Sequence, residues 1–235
     1  MTLIGEREYT RQDITGTLHP IPAWWDFLLD GRAPTPGITG LREQQAIVLD
    51  DATLDPADRL ARSLDLIGRA TSLLRASGAM PSRCTGTVAH LARSNGGLPK
   101  LAVERVEIDT GGVVGDRQGN RKHHGRPWQA MCLWSTEVID AFAAGGDPIA
   151  AGAAGENITI TGVDWSIIQT GVRLRAGTAL LECSLWALPC SDTAHCFHDR
   201  DFHRMHHTRG PVSRMYAWVI EPGIVSVGDP VIVEP

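Results

Sequence analysis

A mainly β, barrel-like domain behind a small helical segment is the fold class this sequence predicts, and three features carry the prediction. Short β-rich runs broken by glycine fill the chain after Cys84, helical periodicity dominates before it, and one clear helix interrupts the β-rich part. The division falls at residues 1–82 for the helical extension and 83–235 for the β domain.

The helical part is anchored by Asp55 before Pro56, an N-cap followed by a first-turn proline. Leu60, Leu64, Ile67, Thr71 and Leu74 then recur at helical spacing until Gly78 and Pro81 end the run. Residues 21–29 and 41–49 read as shorter helices. The stretch 31–37 divides them, with Pro34 and Pro36 expected to stop helix continuation. In the β part, runs at 86–91, 103–108, 129–134, 157–161, 173–176, 179–185, 215–220 and 230–233 are rich in branched and apolar residues. Strands this short, with turns this frequent, indicate a barrel or sandwich. The interrupting helix has Ser135 as cap, Val138, Ile139 and Phe142 on its apolar side, and Gly145-Gly146 as its stop.

Composition narrows the function classes. The 235 residues are 43% hydrophobic and 21% charged, with a net charge of −5, so no global positive field favours nucleic acid or an anionic membrane. Glu6, Arg7, Glu8, Arg11 and Asp13 precede any apolar run, which fits neither a signal peptide nor a spanning helix, and a cytoplasmic location is expected. Cys84, Cys132, Cys183, Cys190 and Cys196 are odd in number and form no C-x-x-C pair, against a disulfide framework or a zinc ribbon.

Four groups of residues could carry chemistry. Cys190 follows Pro189 at the end of an apolar run, where a strand leaves the barrel; as a thiolate it would be a nucleophile, a persulfide carrier or a soft-metal ligand. A cysteine is by itself more often a small buried hydrophobe, the reading given to Cys132 and Cys183. Arg117, Arg121, Lys122, His123, His124 and Arg126 crowd a loop opened by Gly115-Asp116 and closed by Gly125, either a phosphate cradle or a solvated charged loop. Gly155-Glu156-Asn157 offers a carboxylate that could move a proton or anchor a ring amino group, unless both side chains satisfy turn backbone. Finally, His195, Cys196, His198, Asp199, Asp201, His203, His206 and His207 are zinc-ligand types. His203 and His207 at i and i+4 could share a helical face, although a His-rich exposed helix is the commoner explanation.

Four stretches in fixed order resemble the MOSC family, the domain found at the C-terminus of molybdenum-cofactor sulfurases. They are Ser94-Asn95-Gly96-Gly97-Leu98-Pro99-Lys100; Gly115-Asp116-Arg117-Gln118 with the loop ending Lys122-His123-His124-Gly125; Gly155-Glu156-Asn157-Ile158-Thr159 with Gly162; and Leu188-Pro189-Cys190 with Gly228-Asp229-Pro230. The resemblance is to a bacterial-type, stand-alone member with a helical N-terminal extension. It departs at His124-Gly125-Arg126, where many relatives have a second glycine, and at Trp186-Ala187-Leu188, where many have an arginine before Pro-Cys.

The resemblance implies a MOSC-type β-barrel that binds a molybdopterin-type cofactor or a related small heterocycle and uses Cys190 for sulfur transfer or for molybdenum-linked reduction of N-hydroxylated compounds. Glu156 would be a second catalytic residue. Lys100, Asp116, Arg117, Lys122, His123, His124, Gly125 and Asn157 would surround the cofactor, with Asp116 bracing the basic loop. Cys190 would be the molybdenum ligand, and His203 with His207 would be zinc ligands in the alternative reading. Some relatives join this domain to a pyridoxal-phosphate domain, which this chain is too short to hold; sulfur would come from a separate desulfurase or from a small-molecule persulfide, and a reductase is the other expected partner. A non-catalytic ligand-delivery module, a zinc-dependent transferase or hydrolase, and a homodimer all remain open at this point.

Overall fold

In the computed structural model, the described residues are 2–4, 7–9, 18–119 and 124–235. The chain divides into two compact units, Met1–Pro81 with Pro235, and Ser82–Glu234. Among the described residues, no helix is long and apolar enough to cross a membrane.

The first unit contains the paired strands β1 (Thr2–Ile4) and β2 (Arg7–Tyr9), and the helices α1 (Ile21–Leu29), α2 (Pro36–Asp50) and α3 (Pro56–Ala76). Helix α3 starts where its sequence requires: Asp55 accepts hydrogen bonds from the amides of Ala57 and Asp58 at 2.8 and 3.0 Å. Its buried stripe is Leu60, Ser63, Leu66, Ile67, Ala70, Thr71 and Leu74; the expected Leu64 is only half-buried. Helix α2 begins earlier than expected. Thr35 caps it and Pro36 occupies its first turn, where a missing amide hydrogen costs nothing, so this proline starts a helix instead of blocking one.

A buried polar chain ties the three helices together. Trp25 Nε1 donates to Gln45 Oε1 at 3.2 Å, and Gln45 Nε2 donates to Ser63 Oγ at 2.7 Å. Gln45 and Ser63 can be buried because each meets a partner there.

The second unit holds strands β3 (Cys84–Arg93), β4 (Leu101–Val103), β5 (Arg105–Asp109), β6 (Gly112–Val113), β7 (Met131–Ser135), β8 (Ile158–Thr161), β9 (Arg173–Ala176), β10 (Ala179–Ala187), β11 (Arg214–Glu221), β12 (Gly223–Ser226) and β13 (Pro230–Glu234). Seven of them close a barrel in the order β13-β9-β10-β11-β7-β8-β3, with β3 returning to β13 and β4 added beyond β3. The expected barrel with few helices is thus what forms. Closure removes the open edges a seven-stranded sheet would otherwise expose.

Within the barrel only β7 and β8 run parallel, among the described pairings. A parallel pair needs a crossover, and helix α4 (Thr136–Ala144) lies in it, capped by Ser135 Oγ accepting from the Val138 amide. The expected strand at 103–108 divides into β4 and β5, which belong to different sheets: β5 pairs with β12 and β6. Gly112 has φ +111, and a Cβ there would stand 2.2 Å from the Ala130 carbonyl oxygen, so only glycine fits this approach.

Candidate functional site

Strand ends and loops from separate parts of the second unit meet around a cavity of about 420 Å³, a size typical of small-molecule sites. Cys190, Lys100, Arg117, His124 and Asn157 all line it. Cys190 sits three residues beyond the end of β10, half-buried, and opens a 3-10 turn over Ser191–Cys196. Its carbonyl accepts from the Thr193 amide at 2.9 Å and from Thr193 Oγ1 at 2.8 Å. The cysteine backbone is thereby fixed at the cavity wall.

Asp116 organises the part of the wall that Lys100 and Asn157 form. Its Oδ1 accepts from the Ser94 amide at 2.7 Å, while Oδ2 accepts from Asn157 Nδ2 at 3.0 Å and pairs with Lys100 Nζ. The Arg117 amide donates to the Ser94 carbonyl at 2.8 Å. Asp116 therefore braces the junction of the first three sequence stretches. Lys100 is an ion-pair partner of Asp116, so its charge is already balanced before any ligand arrives.

Asn157 lies on the wall with its side chain engaged. Oδ1 accepts from the Cys132 amide at 3.2 Å, and Nδ2 donates to the Ala92 carbonyl at 3.3 Å as well as to Asp116. Glu156 is 0% exposed; its Oε1 accepts from the Gly152 amide at 2.5 Å and from Thr159 Oγ1 at 3.4 Å, and it does not line the cavity. These contacts are those of a turn-bracing carboxylate. Gly125 has φ +82, and a Cβ there would meet Gln118 Oε1 at 2.9 Å, so the glycine lets the loop pass close to a cavity-lining glutamine. His124 Nδ1 is 2.9 Å from the Tyr216 hydroxyl. Lys122 and His123 lie outside the described residues.

The sequence reading did not single out three further residues of the wall, Cys132, Arg214 and Tyr216. Arg214 is only 6% exposed, and its Nη1 donates to the Ala154 carbonyl. Burial works against its charge. The surrounding acidic groups of Cys132, Tyr216, Glu156 and Cys190 nevertheless hold its pKa above the usual value. Burial pushes the Cys132 thiol up to about 11 and raises the Tyr216 hydroxyl as well, so both remain neutral donors at pH 7. Residues i and i+2 of a strand share a face, and Arg214 with Tyr216 on β11 could have been found by that spacing.

The His-rich stretch is corrected by the structure. It forms no α-helix but short 3-10 turns: His203 lies within Phe202–Met205, and His207 begins His207–Arg209 after a break at His206. No common helical face exists for the pair. Their rings stack instead on neighbours, His203 on Phe202 at 4.3 Å and His207 on His206 at 4.2 Å between centroids. Among the described residues, no three His, Cys, Asp or Glu side chains form a group that could hold a metal ion. The segment is secured elsewhere: buried Asp147 pairs with His198 Nδ1 at 2.7 Å and Arg204 Nη2 at 2.8 Å.

Comparison with known proteins agrees with this architecture. The chain is 30% identical over 139 residues to Protein YiiM of Escherichia coli (strain K12), covering 55% of this chain and 62% of that protein, less than two thirds of its length. A crystal structure of a hypothetical protein superposes with a TM-score of 0.54 at 26% identity, covering 64% of this chain and 69% of the other. YiiM from Geobacillus stearothermophilus superposes with a TM-score of 0.52 at 22% identity, covering 64% and 75%, a likeness of fold. Residues 120–232, which carry Cys190, Arg214 and most of the barrel, match the MOSC domain.

Proposed function

We propose that the cavity binds a molybdopterin-type cofactor or a related phosphate-bearing heterocycle, with Cys190 as the thiolate that ligates its metal or carries sulfur to it. The observation behind this reading is the meeting of Cys190, Arg117, Lys100 and Asn157 around one cavity, although they come from four separate stretches of sequence. The donor set suits such a group: a cysteine sulfur is a soft-metal ligand, and the Arg117 guanidinium can bind a phosphate by paired hydrogen bonds. Lys100, balanced by Asp116, would orient that wall more than it would attract charge.

When bound, the cofactor would supply a metal centre able to accept sulfur or electrons. The chain's own contribution is to hold Cys190 at the wall through Thr193, to fix Arg117 through Ser94, and to keep Cys132 and Tyr216 protonated beside the ligand. Among the described residues no disulfide joins the five cysteines, which suits a reducing compartment such as the cytoplasm and exchange with a desulfurase or a reductase.

The test is elemental and pterin analysis of untagged protein prepared under reducing, chelator-free conditions from a host that makes the cofactor. Molybdenum together with a releasable pterin is expected in the wild type. Cys190→Ala should lose cyanide-releasable sulfur or turnover while keeping its melting temperature. Absence of both molybdenum and pterin from the wild type would overturn the reading; pterin retained with unchanged affinity in Cys190→Ser would favour a passive delivery module.

A further inference from the structure

Arg214 brings a positive charge into a place where the chain gives it few partners. The residue lines the Cys190 cavity while only 6% exposed. Nη1 is engaged by the Ala154 carbonyl, and Nε is buried without a hydrogen-bond partner among the described residues. Nor does any described carboxylate form an ion pair with it. Glu156 is near enough to influence the guanidinium, yet its bonded oxygen faces Gly152 and Thr159 and its Oε2 has no hydrogen-bond partner of its own. A buried guanidinium left this way is costly, and the cost falls when an anion fills its open edge.

The unpaired edge defines the kind of anion. With Nη1 occupied and Nε buried without a partner, the Nε–H and Nη2–H side is a planar fork that matches the two oxygens of a carboxylate once a small side-chain shift opens it to the cavity. Glu156 already places one negative charge behind the site, so a univalent anion is better accommodated than a phosphate dianion. Cys132 and Tyr216 add neutral donors at neutral pH. Arg214 pairs across the sheet with Ala187, and the chain from Ala187 to Cys190 can span at most roughly 11 Å. The guanidinium and the thiol line the same cavity, and the Cys190 charge acts on Arg214.

We infer that Arg214 forms a carboxylate subsite in this cavity, which holds a small univalent carboxylic acid, or the carboxylate end of a larger reactant, beside Cys190. The inference uses the cavity assigned above but not the cofactor. It names the class of reactant that meets the cysteine.

Two alkylating reagents that differ only in charge provide the test. Iodoacetate and iodoacetamide both react by attack of the thiolate sulfur on the methylene carbon, so that the C–S bond forms as the C–I bond breaks and iodide leaves with the electron pair. Ordinarily the neutral amide is faster, because a thiolate repels the carboxylate. The full chain, expressed in a host that makes no molybdenum cofactor, is treated with each reagent, and alkylation of the Cys190 peptide is followed by mass spectrometry.

In the wild type, iodoacetate should modify Cys190 faster than iodoacetamide by about tenfold, the scale of one charge-assisted hydrogen-bonded contact. Its rate should saturate with concentration, and acetate should protect. In Arg214→Met the preference should revert to the amide, and Arg214→Lys, which lacks the fork, should recover only part of it. A wild type that prefers iodoacetamide would overturn the proposal. So would an equal slowing of both reagents in Arg214→Met, which marks a counter-charge to the thiolate and not a carboxylate site. Should Arg214→Met fail to fold, acetate protection of the wild type decides alone, and its absence refutes the subsite. If protein from a host that makes the cofactor holds neither molybdenum nor pterin, while the iodoacetate preference is present, the cofactor reading falls and this one stands.

Discussion

Asn157 Nδ2 donates a hydrogen bond to Asp116 Oδ2 at 3.0 Å, joining side chains 41 residues apart in sequence. The same carboxylate oxygen pairs with Lys100 Nζ, and the Asp116 and Lys100 side chains are 3% and 10% exposed. Asp116→Ala would leave a buried ammonium without its anion and the Ser94 amide without its acceptor. A loss of about 3–5 kcal/mol is expected, the cost of breaking a buried pair from one side, read from urea denaturation. A loss below about 1 kcal/mol, the size of a surface pair, would refute the bracing role.

Alkaline stability should report the buried acids of the cavity. In the fold the Cys132 thiol is pushed up to about 11 from 9.0, and Tyr216 is raised as well, in both cases by burial first. Between pH 9 and 11 the unfolded chain gives up the Cys132 proton while the folded chain keeps it. The folded state then binds more protons, so stability is full below the unfolded value and declines as pH rises through that window. Guanidinium midpoints measured across it should fall less steeply in Cys132→Ala than in the wild type. Equal slopes would remove Cys132 as a cause.

Asp55 caps the longest helix of the first unit through the Ala57 and Asp58 amides. Asp55→Ala should destabilise that unit by about 1 kcal/mol and Asp55→Asn by much less, because asparagine caps nearly as well. Thermal melts followed at 222 nm, a helix-weighted signal, distinguish the two. Identical losses would argue that the carboxylate acts through its charge and not as an acceptor.

His203 and His207 occupy separate 3-10 turns, each stacked on an adjacent ring. Replacing both with alanine should leave the metal and pterin content of the purified protein unchanged, and dialysis against a chelator should not lower the wild-type melting temperature. Stoichiometric zinc lost in the double variant would restore the metal reading of this segment.

Much of the local structure could be read in advance. Residues 21–29 and 173–176 emerge as the helix and strand expected there, and Ser135 and Asp55 cap the helices they were expected to cap. These features depend on neighbours within a turn or two, so propensity and capping determine them. Pro36 was misread because a proline blocks a helix interior yet suits a first turn, and only the cap at Thr35 distinguishes the two cases. Strand β6 was missed because two residues carry too little pattern to detect, and β12 because Gly223 and Ser226 leave it only Ile224 and Val225 as β-favouring residues.

The site divides along the same line. Sequence alone singled out Arg117 and Asp116 through the glycine that opens their stretch, and Cys190 through the likeness of Leu188-Pro189-Cys190 to a family motif. It also determined a mainly β chain with a helical beginning and a net negative charge. Closure of the barrel, by β13 pairing with β3, is a long-range event that no local pattern encodes. That closure and the β10–β11 register, which sets Ala187 opposite Arg214, decide which side chains share a wall. Arg214 immediately precedes the β-rich run expected at 215–220, and nothing in that pattern marks it. Tertiary structure makes it a buried cation facing the same cavity as Cys190, because burial and charge pairing are properties of the assembled walls and not of any one segment.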